Sequence, residues 1–287
     1  MQKIPSEIFE YITSIQRIEV FFQQIILYTE EGIYAYIPVC SQSDIYSYLN
    51  EIGFCSFYTL LNKESDSFQL FQLQEKKESH ILSILGELYS KSTQPRSFSS
   101  LQVSSIYNRL ITNIQRSMQF YYSVQDKIEE MLYPPKTYYS LLLDMSQIYH
   151  LLHMGDYFLN EWYQSHPLEY REVLTIRKID SHNFWGKKII DFSSSRKDYY
   201  IYEVANYYRM YYKKDSVVEE IQRFFQIISV TKQDLLLFYS LISYVEEFEW
   251  DYFEDEKTVL HYVNKTNSFL SKEYEEYQKG KEEMLEE

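Results

Sequence analysis

Hydrophobic and polar positions follow two different periods along this chain, and the first part favours strands. Residues 17–28 (RIEVFFQQIILY) and 33–39 (IYAYIPV) are rich in β-branched and aromatic side chains, which favour β-strands. The two runs flank Thr29-Glu-Glu-Gly32, a polar turn sequence ending in glycine. This pattern predicts a β-hairpin at the start of the chain.

The following stretch predicts one helix and a second hairpin. Apolar residues within 44–49 have helical spacing, and Gly53 is expected to cap the C-terminus of this helix. Residues 56–61 and 67–73 have strand composition and are separated by a polar segment. Together with the first hairpin, they predict a small sheet accompanied by one helix.

A helical period near 3.6 dominates after the polar run Gln74–Ser79. We therefore place a boundary between a β-rich lobe at 1–75 and a helical lobe at 76–287. One short β-like insert, Lys187–Phe192, interrupts the helical pattern. The predicted helices cover 80–91, 102–132, 137–164, 199–213, 215–228, 231–248 and 257–285.

Composition narrows the classes of protein and partner. The chain of 287 residues is 45% hydrophobic, enough to bury a large core, and its net charge of −14 disfavours binding to nucleic acid or anionic membranes. No run approaches the roughly 20 apolar residues of a membrane span. Cys40 and Cys55 are the two cysteines, so no disulfide framework is expected. The first ten residues lack a signal-peptide pattern, and we expect a cytoplasmic protein.

The stretch around residue 183 has the spacing of a phosphotransferase site. Asn183 lies eight residues before Asp191, the separation at which an asparagine and a strand-end aspartate meet over one magnesium-nucleotide in kinase-like enzymes. The HxDxxxxN pattern of their catalytic loop would require His and Asp where this chain has Ile176 and Lys178. A lysine ammonium has no lone pair with which to accept a proton. Asp180, two positions further on, is a displaced candidate for this base.

Three motifs carry a family resemblance: GIYAYIPV at 32–39, IIDF at 189–192 and YEVANYYR at 202–209. With them the chain resembles the aminoglycoside-phosphotransferase-like branch of the kinase fold, and within it the spore-coat-associated CotS/YutH-type proteins. The resemblance implies an α+β, two-lobed protein-kinase-like fold with a small β-rich N-lobe and a larger helical C-lobe. It also implies an association with the spore coat.

The resemblance assigns roles to four residues. Asn183 and Asp191 match the positions that bind magnesium, an ion that prefers oxygen ligands. Glu203 takes the place of a carboxylate that ties the catalytic loop to the following helix, a structural role, and Arg209 matches an arginine carried by that helix. These assignments depend on the resemblance.

Three departures from the family pattern point to loss of catalysis. The strand at 33–39 has no lysine to neutralise phosphates, and Ile37 falls about where the family places it. Residues 1–31 contain no glycine for a phosphate-binding loop. The third departure is Lys178 in place of the catalytic base.

Two other segments have alternative interpretations. His153-Met-Gly-Asp156 followed by Asn160 imitates a catalytic loop, but it lies in a predicted helix far from Asp191, and we interpret it as a helical surface with a glycine kink. The acidic run Glu246–Glu256 either binds a basic partner or is a solvated helix end; we favour the second.

We therefore hypothesise a catalytically degenerate kinase-fold protein that needs no cofactor and acts by binding protein partners, among them spore coat components. The alternative is an active small-molecule O-phosphotransferase that uses ATP and magnesium, with Asp180 as base. A third hypothesis is an unrelated helical interaction protein, which would have no sheet over residues 15–75.

Overall fold

The computed structural model of the chain describes residues 6–21, 24–38, 43–58, 61, 68–74, 81–176, 179, 183–192, 194–247 and 253–286. The predicted α+β class is confirmed: the N-terminal region holds a β-sheet and the C-terminal region is mostly helical. The chain divides into two compact units, of which the first combines Met1–Gln94 with Arg171–Glu203 and the second combines Pro95–Tyr170 with Val204–Glu287. The lobe boundary proposed at residue 75 stays a prediction.

A four-stranded antiparallel sheet forms the main part of the first unit, after a short 3-10 helix at Ser6–Glu10. Its strands are β1 (Ile15–Phe21), β2 (Gln24–Thr29), β3 (Ile33–Pro38) and β4 (Phe68–Leu73), in the order β1-β2-β3-β4. The predicted hairpin at 29–32 is confirmed, because the Thr29 amide donates to the Gly32 carbonyl at 2.9 Å. The prediction of one strand over 17–28 is wrong, since β1 and β2 are separate, paired strands.

Strand alternation gives this sheet two buried faces. On one face Ile25, Leu27, Tyr34 and Tyr36 form a core cluster with Ile8 and Ile12 from the N-terminal segment. The other face carries Ile26, Ala35 and Phe71, which lie opposite one another across three strands and are buried. Gln24 and Ile37 belong to this second face by alternation.

Helix α1 (Ser43–Glu51) confirms the predicted short helix. Gly53 has φ +67°, a left-handed conformation that suits glycine, and the Phe54 amide donates to the Leu49 carbonyl at 2.9 Å to close the helix end. Gly53 therefore caps α1 as predicted.

The remaining strands are short. Helix α2 (Ile81–Ser92) precedes the strands β5 (Gln94–Ser97), β6 (Glu169–Thr175), β7 (Phe184–Trp185), β8 (Lys188–Ile189) and β9 (Arg196–Tyr199). Most of β5 and the first two residues of β6 belong to the second unit, and the other residues of these elements to the first. β6 pairs with β9, and β7 with β8, both antiparallel. The predicted strand at 187–192 is present only as β8.

The predicted second hairpin, of residues 56–61 with 67–73, is described only in part. Phe57 forms a parallel bridge with Ile189 of β8, and the Ile189 amide donates to the Ser56 carbonyl at 2.9 Å. Strand β4 pairs with β3. The Leu61 amide donates to the Leu70 carbonyl of β4 at 2.8 Å, as the hairpin would require. Residues 59–60 and 62–67 lie outside the described residues, so the rest of this hairpin stays a prediction.

The second unit is built from long helices around α4. Its helices are α3 (Ser100–Glu129), α4 (Lys136–Gln164), α5 (Ile201–Tyr211, which starts in the first unit), α6 (Val217–Ile228), α7 (Lys232–Ser243) and α8 (Phe253–Glu286). The seven predicted helices correspond to α2–α8. Helix α7 ends at Ser243, earlier than predicted. None of the described helices combines the length and apolarity needed to cross a bilayer.

Candidate functional site

The β7–β8 hairpin positions the two predicted metal ligands. Phe184 pairs with Ile189, and the Ile190 amide donates to the Asn183 carbonyl at 2.8 Å. Asn183 and Asp191 therefore lie at the same open end of the hairpin, and both side chains are buried. Gly186, with φ +59°, provides the left-handed residue that this tight turn needs.

Gln24 adds a contact that the sequence analysis did not predict. Its Nε2 donates to Oδ2 of Asp191 at 3.3 Å, and both residues are buried. Gln24 is the first residue of β2, directly after the segment that joins β1 to β2. The amide thus competes with any cation for this oxygen of Asp191.

On the sheet face that carries Gln24, the position where the family pattern requires a lysine is apolar. Ile37 is 1% exposed in β3 and lies opposite Gln69 of β4. Because Ile25 lies opposite Tyr36, Gln24 is the next-strand neighbour of Ile37 on the same face. Gln69 in turn accepts a hydrogen bond from the Tyr46 hydroxyl of α1 at 3.3 Å. Two amides and a phenol therefore surround the position at which the family pattern has a lysine.

Basic side chains are sparse in this part of the sequence. Arg17 is the single Lys or Arg between Lys3 and Lys63. Its guanidinium is exposed, forms an ion pair with Glu19 and stacks over the Tyr28 ring at 5.3 Å from the centroid. Among the described residues, the buried polar and charged set contains no Lys or Arg. The charges of nucleotide phosphates would therefore be poorly neutralised by the described residues of this sheet.

Glu203 binds the backbone at Ile176, where the catalytic loop is predicted to begin. It lies in the first turn of α5, is buried, and its Oε1 accepts the Ile176 amide at 2.8 Å. Its Oε2 accepts a hydrogen bond from the Tyr89 hydroxyl of α2. Burial raises the pKa of Glu203 from 4.5 to about 7, although these two hydrogen bonds favour the charged form. The structure thus supports the tethering role that the resemblance assigns to Glu203.

The residues of the predicted base position are not part of the described structure. Lys178, Asp180 and His182 lie outside the described residues, while the flanking Ile176 and Ile179 are buried. The suggestion that Asp180 is a displaced base therefore stays a prediction.

The described residues do not fit a magnesium-nucleotide well. No group of three or more His, Cys, Asp or Glu side chains that could hold a metal occurs in the described part of the chain. Asn183 and Asp191 supply oxygen atoms, but the Gln24 amide donates a hydrogen bond to Asp191. The donor set suits a hydrogen-bonded carboxylate better than a metal-bound one.

The upstream motif that imitates a catalytic loop lies within α4, as predicted. The Asn160 side chain donates a hydrogen bond to the Asp156 carbonyl at 2.9 Å. It also accepts one from the Tyr107 hydroxyl of α3 at 2.7 Å, so it links α4 to α3. The prediction that Gly155 lies on a helical surface is wrong. Gly155 is buried at a helix crossing, where a Cβ would lie 2.7 Å from Cβ of Ser243. This segment is structural.

Arg209 also has a structural position. Its guanidinium donates to the carbonyls of Leu241 at 2.8 Å and Tyr244 at 2.6 Å, at the C-terminal end of α7. Cations are favourable at this end of a helix. The arginine of the YEVANYYR motif therefore fastens α5 to α7.

Comparison with known proteins identifies the fold of the chain. No family model matches the sequence, and no curated protein matches it. Among solved structures, an aminoglycoside phosphotransferase from Alicyclobacillus acidocaldarius subsp. acidocaldarius DSM 446 matches with a TM-score of 0.67 over 97% of each chain, at 10% identity. Choline kinase from Streptococcus pneumoniae, at 12% identity, has a TM-score of 0.40 over 91% of this chain and 97% of its own.

The first match shows that the chain has the kinase-like fold of aminoglycoside phosphotransferases, and at this identity it shows the fold alone. The hypothesis of an unrelated helical protein is wrong, because the sheet β1–β4 lies where that hypothesis requires none.

Proposed function

We propose that this chain is a catalytically degenerate kinase-fold protein that acts by binding another protein. The observation that carries the proposal is the hydrogen bond from Gln24 to Asp191 on a sheet face where Ile37 replaces the phosphate-binding lysine. An active phosphotransferase needs a metal-bearing aspartate and a cation for the phosphates at the same time. Here the aspartate is engaged by a neutral amide and the cation position is apolar.

The active alternative rests on a separate observation. Asn183 and Asp191 are both retained, buried and close along one hairpin, in a fold shared with a phosphotransferase. A small-molecule O-phosphotransferase using ATP and magnesium would employ these two as metal ligands and Asp180 as base. This alternative predicts nucleotide binding that the degenerate protein lacks.

Thermal melting with and without millimolar ATP and magnesium distinguishes the two. A ligand that binds only the folded state raises the melting temperature as its concentration exceeds Kd. We expect no rise for the wild-type protein. Asp191→Ala is the control, and each protein is compared with itself, because Asp191 is buried and its loss alters the baseline.

If ATP and magnesium raise the melting temperature by several degrees, and this rise disappears in Asp191→Ala, the nucleotide site has been retained. Magnesium-dependent ATP turnover that is abolished by Asp191→Ala would overturn the proposal as a whole. In that case Asp180→Asn becomes the decisive variant, since it should abolish turnover while the melting temperature stays unchanged.

We further propose, from the motif resemblance at 32–39, 189–192 and 202–209, that the binding partners are spore coat components. In a spore-forming host, deletion of the gene should then alter the coat layers seen by electron microscopy of thin sections. Unchanged layers would count against this partner class and leave the test of the nucleotide site unaffected.

A further inference from the structure

Strand β1 forms an outer edge of the four-stranded sheet. The order β1-β2-β3-β4 leaves one side of β1 without a paired strand among the described residues. At the other edge, β4 receives a hydrogen bond from Leu61. An edge strand presents backbone donors and acceptors to any extended chain that reaches it.

Apolar side chains on this edge are unusually exposed. Ile18 and Val20 are 48% and 64% exposed, although they lie opposite Leu27 and Ile25, which are buried in the core cluster. The apolar face of the sheet therefore continues uncovered to its edge. Burial of these two side chains would favour association.

Charged residues on β1 select the partner. Arg17 and Glu19 flank Ile18, point to the opposite face beside Tyr28, and form an ion pair with each other. An antiparallel copy of the same strand, centred on Ile18, places Arg17 opposite Glu19 twice. Opposite charges directly across a strand pair are favourable, and like charges are not. The strand is thus complementary to itself.

We propose that β1 pairs antiparallel with β1 of a second copy of this chain about a two-fold axis at Ile18, which extends the sheet across a homodimer. The register is specified by charge. Shifting the centre to residue 17 places Arg17 opposite Arg17, and shifting it to residue 19 places Glu19 opposite Glu19. In the proposed register Ile18 faces Ile18, and Val20 faces Gln16. The proposal does not rest on the nucleotide-site hypothesis, although Arg17 and Glu19 lie on the sheet face that carries Gln24.

Charge variants test the interface by sedimentation equilibrium over a wide range of chain concentration. The wild-type protein should show a concentration-dependent dimer. Glu19→Arg places Arg17 opposite a second arginine at both symmetric positions and should weaken dimerisation about tenfold or more. The matched double variant Arg17→Glu with Glu19→Arg exchanges the charges, retains the complementarity and should restore the dimer. Far-UV circular dichroism checks that all three proteins are folded.

Disulfide trapping tests the register in a background with Cys40→Ser and Cys55→Ser. Ile18→Cys should form a cross-linked dimer on mild oxidation, because the two Cβ atoms face each other at the axis. Val20→Cys should not, because the two copies would lie about 13 Å apart. A wild-type protein that stays monomeric at every concentration overturns the proposal. This holds even if β1 then proves to bind a different protein. A dimer insensitive to Glu19→Arg, or equal trapping at 18 and 20, overturns it as well.

Discussion

Single residues differ in how far the sequence predicts their position. The spacing of Asn183 and Asp191 predicts their common placement, because a short hairpin brings its two ends together. Gln24 was missed, since a buried glutamine in the apolar run FFQQIIL has no periodic signature and its partner Asp191 is 167 positions away. The one available signal is the polarity of this position within an apolar run. Long-range polar contacts of this kind require coordinates.

Glu203 leads to a prediction about pH. Its pKa is raised by burial to about 7, so between pH 4.5 and about 7 the folded state binds more protons at this group than the unfolded state. The contribution of Glu203 to stability is therefore greatest below pH 4.5, falls as pH rises through this window, and then levels. The total loss approaches about 3 kcal/mol, at about 1.4 kcal/mol for each pKa unit.

Glu203→Gln should abolish this loss of stability at rising pH, because glutamine does not ionise. Its side-chain oxygen can still accept the hydrogen bond from the Ile176 amide. Urea unfolding of both proteins at a series of pH values measures the difference in unfolding free energy, which should move in favour of the variant as pH rises. The exposed Glu219→Gln is the matched control and should follow the wild-type curve. Parallel curves for Glu203→Gln and wild type would refute the prediction.

At the scale of elements, periodicity predicts long helices well and short strands poorly. Helices such as α3 and α6 bury one face, so their apolar positions recur every three to four residues and their existence can be inferred. β7 and β8 have two residues each, too few for a strand pattern to be recognised. β9 has the sequence RKDY, which is too polar for one. The division between β1 and β2 was missed because Phe22-Gln23 contains no turn-forming residue.

The crossing of α4 and α7 gives a prediction about packing. Gly155→Ala would place a Cβ 2.7 Å from Cβ of Ser243, a separation that requires the helices to move apart. Overpacking of this kind costs about 1–3 kcal/mol. Chemical denaturation should show this loss of unfolding free energy. Adding Ser243→Gly to Gly155→Ala should recover most of the loss, so that the double variant is more stable than the sum of the two single effects predicts. Additive effects of the two changes would contradict a direct contact.

For the whole molecule, the first compact unit is assembled from two separate parts of the chain, Met1–Gln94 and Arg171–Glu203. The later part supplies β8, which bonds to Ser56–Tyr58, and Asp191, which accepts from Gln24. The sequence could not predict this division, because the change of period near residue 75 marks where helices become dominant and says nothing of which later segment returns to the sheet.

A fragment comparison tests this assembly. Residues 1–94 alone should melt without a cooperative transition, because Gln24 and the 56–58 segment lose their partners. The same fragment joined through a long Gly/Ser linker to residues 171–203 should show a cooperative transition by circular dichroism. A scrambled version of 171–203 on the same linker is the control, and equal melting of the three proteins would refute the prediction.

The discontinuous first unit also determines the order of events during synthesis. The strands β1–β4 leave the ribosome early, but their partners in Arg171–Glu203 emerge only after more than a hundred further residues. At about 5–20 residues per second this delay lasts roughly 5–20 s. For that time the nascent chain displays an incomplete sheet with the exposed edge of β1, and a neighbouring ribosome on the same messenger displays an identical one. Pairing of these edges between nascent chains would precede completion of either molecule, and slow codons between residues 95 and 170 would prolong the opportunity.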